Sequence, residues 1–298
     1  MNPTLRSLKT IYYQYTLGIE SPGEIIIHRI NKLCYGRKRA LQIKNQKEYE
    51  ALKRTYLKND CWDFNGVKLP YDENIKVELL GCYKDSLFFY CHFNDSYNSK
   101  IVDLNFSYEG AYGYQISDPL FDVTVKKGDT VIDAGAWIGD FSAYAAIKGA
   151  TCYAFEPNKK ILDLLKTTQR LNTGFHIVEK GLGNRSGVSY FEQNWVHSGG
   201  GKVVTAPSSL SQKVEMTTID DFVAEQNIER VDFIKADIEG FERFMLLGAT
   251  KTLQKFAPKL AICTYHLPDD PQVLAKIILE ANPKYVVVQK RCKLYASV

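Results

Sequence analysis

Residues 130–144, TVIDAGAWIGDFSAY, constrain this chain more than any other stretch. Thr130, Val131 and Ile132 form a β-branched run that reads as a buried strand. Asp133 closes it, Gly135 and Gly139 follow, and Phe141, Tyr144 and Ala145 keep the period of a helix. Strand, glycine turn and helix in that order make the corner of a doubly wound α/β sheet, where ligands lie beyond the strand ends. Glycine belongs there because a side chain would hold the backbone away from the ligand.

The glycine spacing narrows the ligand. A dinucleotide site asks for G-x-G-x-x-G. Here the run is D-x-G-x-x-x-G, with Trp137 where a middle glycine would stand. An acid ahead of the glycines suits a ligand carrying an amine and a sulfonium, which favours S-adenosylmethionine (SAM) over NAD. The competing reading is an ordinary corner with no ligand. Thr151–Phe155 reads as the second strand and ends at Glu156, 23 residues past Asp133, with Pro157 at a helix start. A carboxylate there can chelate the two ribose hydroxyls of an adenosine; otherwise it serves a helix dipole. A helix over Lys159–Leu171 and a strand over Phe175–Val178 follow. The loop over residues 179–184 would then lie beside the base.

A strand over residues 231–236 delivers Asp237, Glu239 and Glu242, three acids within six residues. Carboxylates crowded like this need a helix N-terminus, a cation or a proton to offset their repulsion. The alternative reading makes Glu239 and Glu242 first-turn helix acids. Residues 260–265 form a strand that ends at His266. Asp133, Glu156, Asp237 and His266 therefore share one sheet edge, and strand ends on one edge converge on one cleft. Thr217, Thr218 and Asp221 mark a capped helix start. A helix over residues 271–281 and strands over 285–289 and 294–296 complete the α/β alternation.

Ahead of residue 123 the pattern differs. Residues 1–60 show helical spacing at Leu5, Leu8, Ile11 and Tyr12, and again at Ile26, Ile27, Ile30 and Leu33. Trp62 to Leu69 alternates around Asn65-Gly66, a hairpin signal, with further strands at 87–93 and 101–106. Tyr112 and Tyr114 either pack in this aromatic β layer or reach over the ligand. Residues 194–212, rich in glycine and serine, read as a lid, a substrate loop or a long connection. Ten bases from Arg29 to Lys58 face only Glu48 and Glu50. They form a solvated helical face, or a contact surface for an acidic partner, an anionic glycan or a membrane surface.

Composition adds exclusions. A hydrophobic share of 45% and a charged share of 24% fit a soluble globular protein, and a net charge of +4 does not argue for nucleic acid. The seven scattered cysteines hold no C-x-x-C pair, so neither a disulfide framework nor a zinc ribbon is indicated. The N-terminus lacks a signal-peptide pattern, and no apolar run reaches the ~18 residues of a membrane span. A reducing, cytoplasmic setting is expected.

Five blocks in order, DAGAWIGDFSAY, AFEPN, EKGLGNRSG, TTIDDF and DFIKADIEGFE, with His266 after them, resemble the FkbM family of SAM-dependent methyltransferases. The similarity runs from about Val123 to the C-terminus; the first third is similar only around NGVKLPYDEN. The resemblance implies an α/β fold, a class I (Rossmann-like) methyltransferase sheet of seven strands in a domain over 119–298. Residues 1–118 would be a helical and β-hairpin extension. It implies O-methylation of a hydroxyl on a sugar, glycan or related small molecule. Asp133, Gly135, Ala136, Trp137 and Gly139 would line the methionine end of SAM, although the family more often has a small polar residue where Trp137 stands. Glu156 and Pro157 would hold the ribose, and Gly181 and Leu182 the adenine. Asp237 and His266 would face the methyl, beside Glu239. A hydroxyl is a weak nucleophile, so a base helps, and histidine titrates near neutral pH. Asp237 would orient His266 or the substrate, or bind a divalent cation with Glu239; no metal site is assigned. An N-methyltransferase, a SAM-binding scaffold and an NAD-dependent sugar oxidoreductase remain rivals, and the acceptor and any homo-oligomer stay open.

Overall fold

A computed structural model describes residues 50, 53–54, 56–64, 66–72, 111–118, 121–193, 201–204, 208, 211–290 and 292–298. The helical repeats expected before residue 50, most of the basic run, and the strands expected at 87–93 and 101–106 lie outside these residues. The chain divides into two compact units, Met1–Phe64 with Tyr71–Glu109, and Asn65–Pro70 with Gly110–Val298. In the first, Leu57–Lys58 pairs antiparallel with Cys61–Phe64. Its aromatic rings pack at a tilt there, Tyr56 against Phe64 at 5.0 Å between ring centroids and Trp62 against Tyr71 at 5.9 Å.

The second unit carries the seven-stranded sheet and a smaller one. In chain order the strands of these two sheets are β1 (Thr130–Ala134), β2 (Thr151–Phe155), β3 (Phe175–Val178), β4 (Gly181–Leu182), β5 (Gly187–Gln193), β6 (Gly201–Val204), β7 (Ser211–Thr217), β8 (Phe233–Ala236), β9 (Lys259–Cys263), β10 (Val286–Lys290) and β11 (Lys293–Ser297). The large sheet has the order β10-β11-β9-β8-β1-β2-β3. The five strands from β9 to β3 run parallel, and β11 runs antiparallel to both β9 and β10. Strand order reverses beside β1, between β1 and β8, which opens a crevice at their C-terminal ends. The fold is therefore the α/β, Rossmann-like class I sheet that the resemblance implies.

Burial explains the strand compositions. Parallel strands covered on both faces read as continuous apolar runs, and Ile132, Ile234 and Leu260 are fully buried in the central three. Each such side chain stabilises the fold by roughly 1.5–3 kcal/mol. Helices α1 (Asp140–Ile147), α2 (Lys159–Leu171), α3 (Ile219–Glu225), α4 (Glu242–Leu247), α5 (Thr250–Phe256) and α6 (Asp270–Ala281) connect the strands. The Asn158 side chain caps α2 by accepting from the Lys160 N–H at 3.2 Å. Pro157 thus precedes the cap instead of opening the helix. The Thr218 hydroxyl caps α3 by accepting from the Asp221 N–H at 2.9 Å.

Two expectations are corrected. Residues 194–212 are not one loop. Gly201–Val204 pairs antiparallel with β5, which pairs with β7 in a second sheet of order β6-β5-β7-β4. Alternation across these short strands is broken by glycine and serine, so the pattern looked like a connection. Strand β9 ends at Cys263, so His266 sits three residues out on a loop. That loop is held by Asp270, whose side chain accepts from the Leu267 N–H at 2.8 Å and from Arg243 Nε at 2.8 Å.

Candidate active site

The C-terminal ends of β1, β2 and β8 open into a cleft that is continuous with solvent. Gly135, Glu156, Pro157, Gly181, Leu182, Asp237 and Glu239 line it, and Phe191 and Val203 of the second sheet form a wall. Asp133, Ala136, Trp137, Gly139 and His266 are not on its surface. The two glycines are required for different reasons. Gly135 has φ 76°, and a Cβ there would run into the Asp237 carbonyl, so β1 and β8 meet backbone to backbone. Gly139 has φ 85° and starts α1, where a Cβ would lie 2.6 Å from Leu165 Cδ1.

Trp137 contributes its backbone. It adopts φ 49°, unusual for a bulky residue, and its N–H donates to Glu156 Oε2 at 3.0 Å. Glu156 Oε1 accepts from the Asn158 N–H at 2.8 Å. Each carboxylate oxygen thus takes one backbone donor and keeps a further acceptor site. Burial pushes the Glu156 pKa up to about 7; the two N–H groups and Lys235 only partly counter it.

Asp133 works inside the fold. It is fully buried, accepts from Ser142 Oγ at 2.5 Å, and lies 3.0 Å from Lys235 Nζ in an ion pair. Lys235 Nζ also donates to the Gly135 carbonyl at 2.6 Å. Burial lowers the Lys235 pKa, but Asp133, Asp237 and Asp140 raise it further, so the ammonium stays charged. Asp133 therefore reaches the cleft only through Lys235 and the glycine corner.

The acids after β8 gather around His266, with Glu242 in the first turn of α4. Asp237 Oδ2 accepts from Tyr114 Oη at 2.7 Å and Oδ1 accepts from Tyr265 Oη at 2.9 Å. Burial raises the Asp237 pKa, but Lys235, His266, Tyr114 and Lys293 bring it below its ordinary value. His266 Nε2 lies 3.4 Å from Asp237 Oδ1 and 3.7 Å from Glu239 Oε2, and Nδ1 lies 3.1 Å from Glu242 Oε1. Burial lowers the imidazole pKa, yet Glu242, Asp237 and Glu239 raise it to about 9. This histidine does not titrate near neutral pH as a free one would.

Tyr265, Lys235 and Glu242 were not singled out by sequence for these roles, and Tyr114 was one of two open candidates; the Tyr112 side chain lies outside the described residues. A lysine inside the apolar run Phe233-Ile234-Lys235-Ala236 is itself a signal, since a lysine is rarely buried unless paired. Nothing local marks Tyr265, whose partner lies 28 residues away.

A family model described as the methyltransferase FkbM domain matches residues 133–285. Hexuronic acid methyltransferase AglP from Haloferax volcanii is 28% identical over 158 residues, which cover 53% of this chain and 64% of that protein. The structure of methyltransferase FkbM from Methylobacillus flagellatus is similar with a TM-score of 0.48 and 19% identity, over 86% of this chain and 59% of that one. The structure of Aeropyrum pernix fibrillarin in complex with S-adenosyl-L-methionine gives a TM-score of 0.38 and 11% identity, over 60% of this chain and 70% of that one. This chain spans less than two thirds of the length of the first two relatives.

Proposed function

The chain belongs to the methyltransferase FkbM domain family, and on that premise we propose that it transfers a methyl group from SAM to a hydroxyl of a sugar or glycan. The observation that carries the reading is Glu156. It is a buried carboxylate at the end of β2, held by two backbone N–H groups, with one acceptor site left on each oxygen where the cleft opens. A ribose diol fits that donor demand. Gly181 and Leu182 would flank the adenine, and Gly135 would let the methionine end approach the backbone. The relative named for hexuronic acid supports a sugar acceptor.

When bound, SAM supplies an electrophilic methyl on a neutral leaving group, so no acid is needed to expel it. The chain's own contribution is to hold the acceptor oxygen in line with that methyl, which removes much of the barrier. Asp237 and Glu239 line the corner where the acceptor hydroxyl would lie and lose its proton, and His266 stands behind both carboxylates and positions them. His266→Ala should leave SAM affinity within about twofold while turnover on a hexuronic-acid acceptor falls by about 10²-fold or more. Calorimetry and a methyl-transfer assay read these separately. Methylation that persists in this variant removes His266 from the role.

A further inference from the structure

We propose that Tyr114 is a positioning residue of the reacting corner: seated against the buried ammonium groups of Lys235 and Lys293, its hydroxyl fixes the Asp237 carboxylate on the cleft wall for the attacking oxygen. The Tyr114–Asp237 link stands on its own geometry; its use in methyl transfer rests on the reading above.

Tyr114 and Lys293 both lie outside the family match over residues 133–285, yet both converge on Asp237. Tyr114 is 2% exposed and Lys293 1%. The Tyr114 hydroxyl donates to Asp237 Oδ2 at 2.7 Å, and Asp237 lines the cleft. That bond takes the one phenolic proton, so the Cys263 thiol, 3.7 Å from the same oxygen, is the donor of their contact. Lys293 Nζ lies 4.4 Å and Lys235 Nζ 5.1 Å from the centroid of the Tyr114 ring, inside the roughly 6 Å of a cation–π contact. Lysines are rarely buried unless paired, and two of them here face one phenol and the carboxylate it holds.

The phenol is itself anchored. The turn Ala111–Tyr114 is tied to β11 by the Tyr295 hydroxyl, which donates to the Gly113 carbonyl at 2.6 Å. The Gln115 side chain accepts from the Val125 N–H at 3.0 Å, and Ile116–Asp118 pairs antiparallel with Phe121–Val123. The Tyr114 ring meets Phe141 of α1 edge-on at 5.6 Å between centroids. A side chain held on several sides orients the carboxylate instead of following it.

Positive charge grows on a hydroxyl oxygen as it attacks a sulfonium methyl, and a carboxylate fixed beside it stabilises that charge. The oxygen bonds to the methyl carbon, the sulfur–methyl bond breaks, the sulfur keeps that electron pair, and the hydroxyl proton leaves to water. Lys235 of β8, Lys293 of β11, Tyr114, and Tyr265 and His266 of the loop after β9 all face Asp237, and Glu239 shares its His266 contact. Burial raises the Asp237 pKa; Lys235, His266, Tyr114 and Lys293 more than offset it. Tyr114→Phe removes one hydrogen bond from this set and no formal charge.

The test uses the full chain with ¹³C-carboxyl aspartate, the Asp237 resonance being identified by its loss in Asp237→Asn. From about pH 7 to about pH 4 the parent resonance should stay nearly level, while in Tyr114→Phe it should bend, its midpoint about 1 pH unit higher, because a hydrogen bond to the charged form favours that form. With methyl glucuronide as acceptor, kcat should fall about tenfold or more in Tyr114→Phe while SAM affinity stays within about threefold. In an Asp237→Asn background the same change should cost less than about twofold further. A Tyr114→Phe resonance as level as the parent's, or unchanged kcat in a variant whose circular dichroism matches the parent, overturns the proposal. Should Tyr114→Phe not fold, Lys293→Met removes an ammonium and leaves the phenol; it should bend the same resonance, and a level one overturns the proposal equally. A parent that binds no SAM or leaves the glucuronide unmethylated counts against the methyl-transfer reading, and the resonance then decides the Tyr114–Asp237 link by itself.

Discussion

Glu156 brings its raised pKa, about 7, into the binding step proposed for it. Ribose hydroxyls donate to the ionised carboxylate, so a bound ligand lowers that pKa and affinity depends on pH. Above about pH 7 the group is already charged and affinity is flat. Below it, each bound ligand must displace a proton, and affinity falls by up to about tenfold per unit. Calorimetric titration of SAM from pH 5.5 to 8.5 should show this bend, and Glu156→Gln should bind weakly with no bend. A parent curve that stays level through pH 6 removes Glu156 from the ribose. At this scale the sequence was informative about which residues are polar at a strand end, less so about what each one faces. Glu156 was legible because its position follows from the strand and the glycine corner. Asp133 was equally visible, but its partner Lys235 lies 102 residues on, and only the fold shows that its carboxylate is taken up in the interior. His266 was read as a strand-end histidine but sits on the loop three residues past β9, and its pKa depends on three carboxylates brought in from the turn after β8 and from α4.

Strands β1 and β8 are joined at their ends by the Asp133–Lys235 pair and by the Lys235 bond to the Gly135 carbonyl. The joint shapes the cleft, because Gly135 lines it. Lys235→Met leaves a buried, uncompensated carboxylate and should cost about 3–5 kcal/mol of unfolding free energy. Adding Asp133→Asn removes the orphan charge and should restore part of that loss, a coupling that urea denaturation of the single and double variants measures. Additive losses would mean that the two side chains do not act as a pair. Some elements built from local signals were readable to the residue, while β9 was read two residues too far at its C-terminal end. Helix Lys159–Leu171 starts at its Asn158 cap, and β3 spans the apolar run Phe175–Val178. The second sheet was not, because β5, β6 and β7 depend on antiparallel partners across a glycine- and serine-rich stretch. Period alone cannot announce a strand that exists only when its neighbour is in place.

The proposed cofactor site lies wholly within the unit formed by Asn65–Pro70 and Gly110–Val298. A ligand that binds this folded unit and not the unfolded chain must stabilise it by mass action. At 100 times its dissociation constant the gain is about 2.7 kcal/mol. For folding units of this size each kcal/mol moves the midpoint by about 2–4 °C, so SAM should raise the transition of this unit by roughly 5–10 °C. NAD at the same concentration should leave it in place, because the corner Asp133 to Gly139 lacks the G-x-G-x-x-G spacing that admits a pyrophosphate. Differential scanning calorimetry distinguishes the two, and Glu156→Gln supplies the internal control by shrinking the SAM shift while the ligand-free midpoint holds or rises, since burial in the parent disfavours the ionised carboxylate. A scan that moves with NAD, or does not move with SAM, would leave the seven-stranded sheet intact as a description of the molecule and remove methyl transfer as its use.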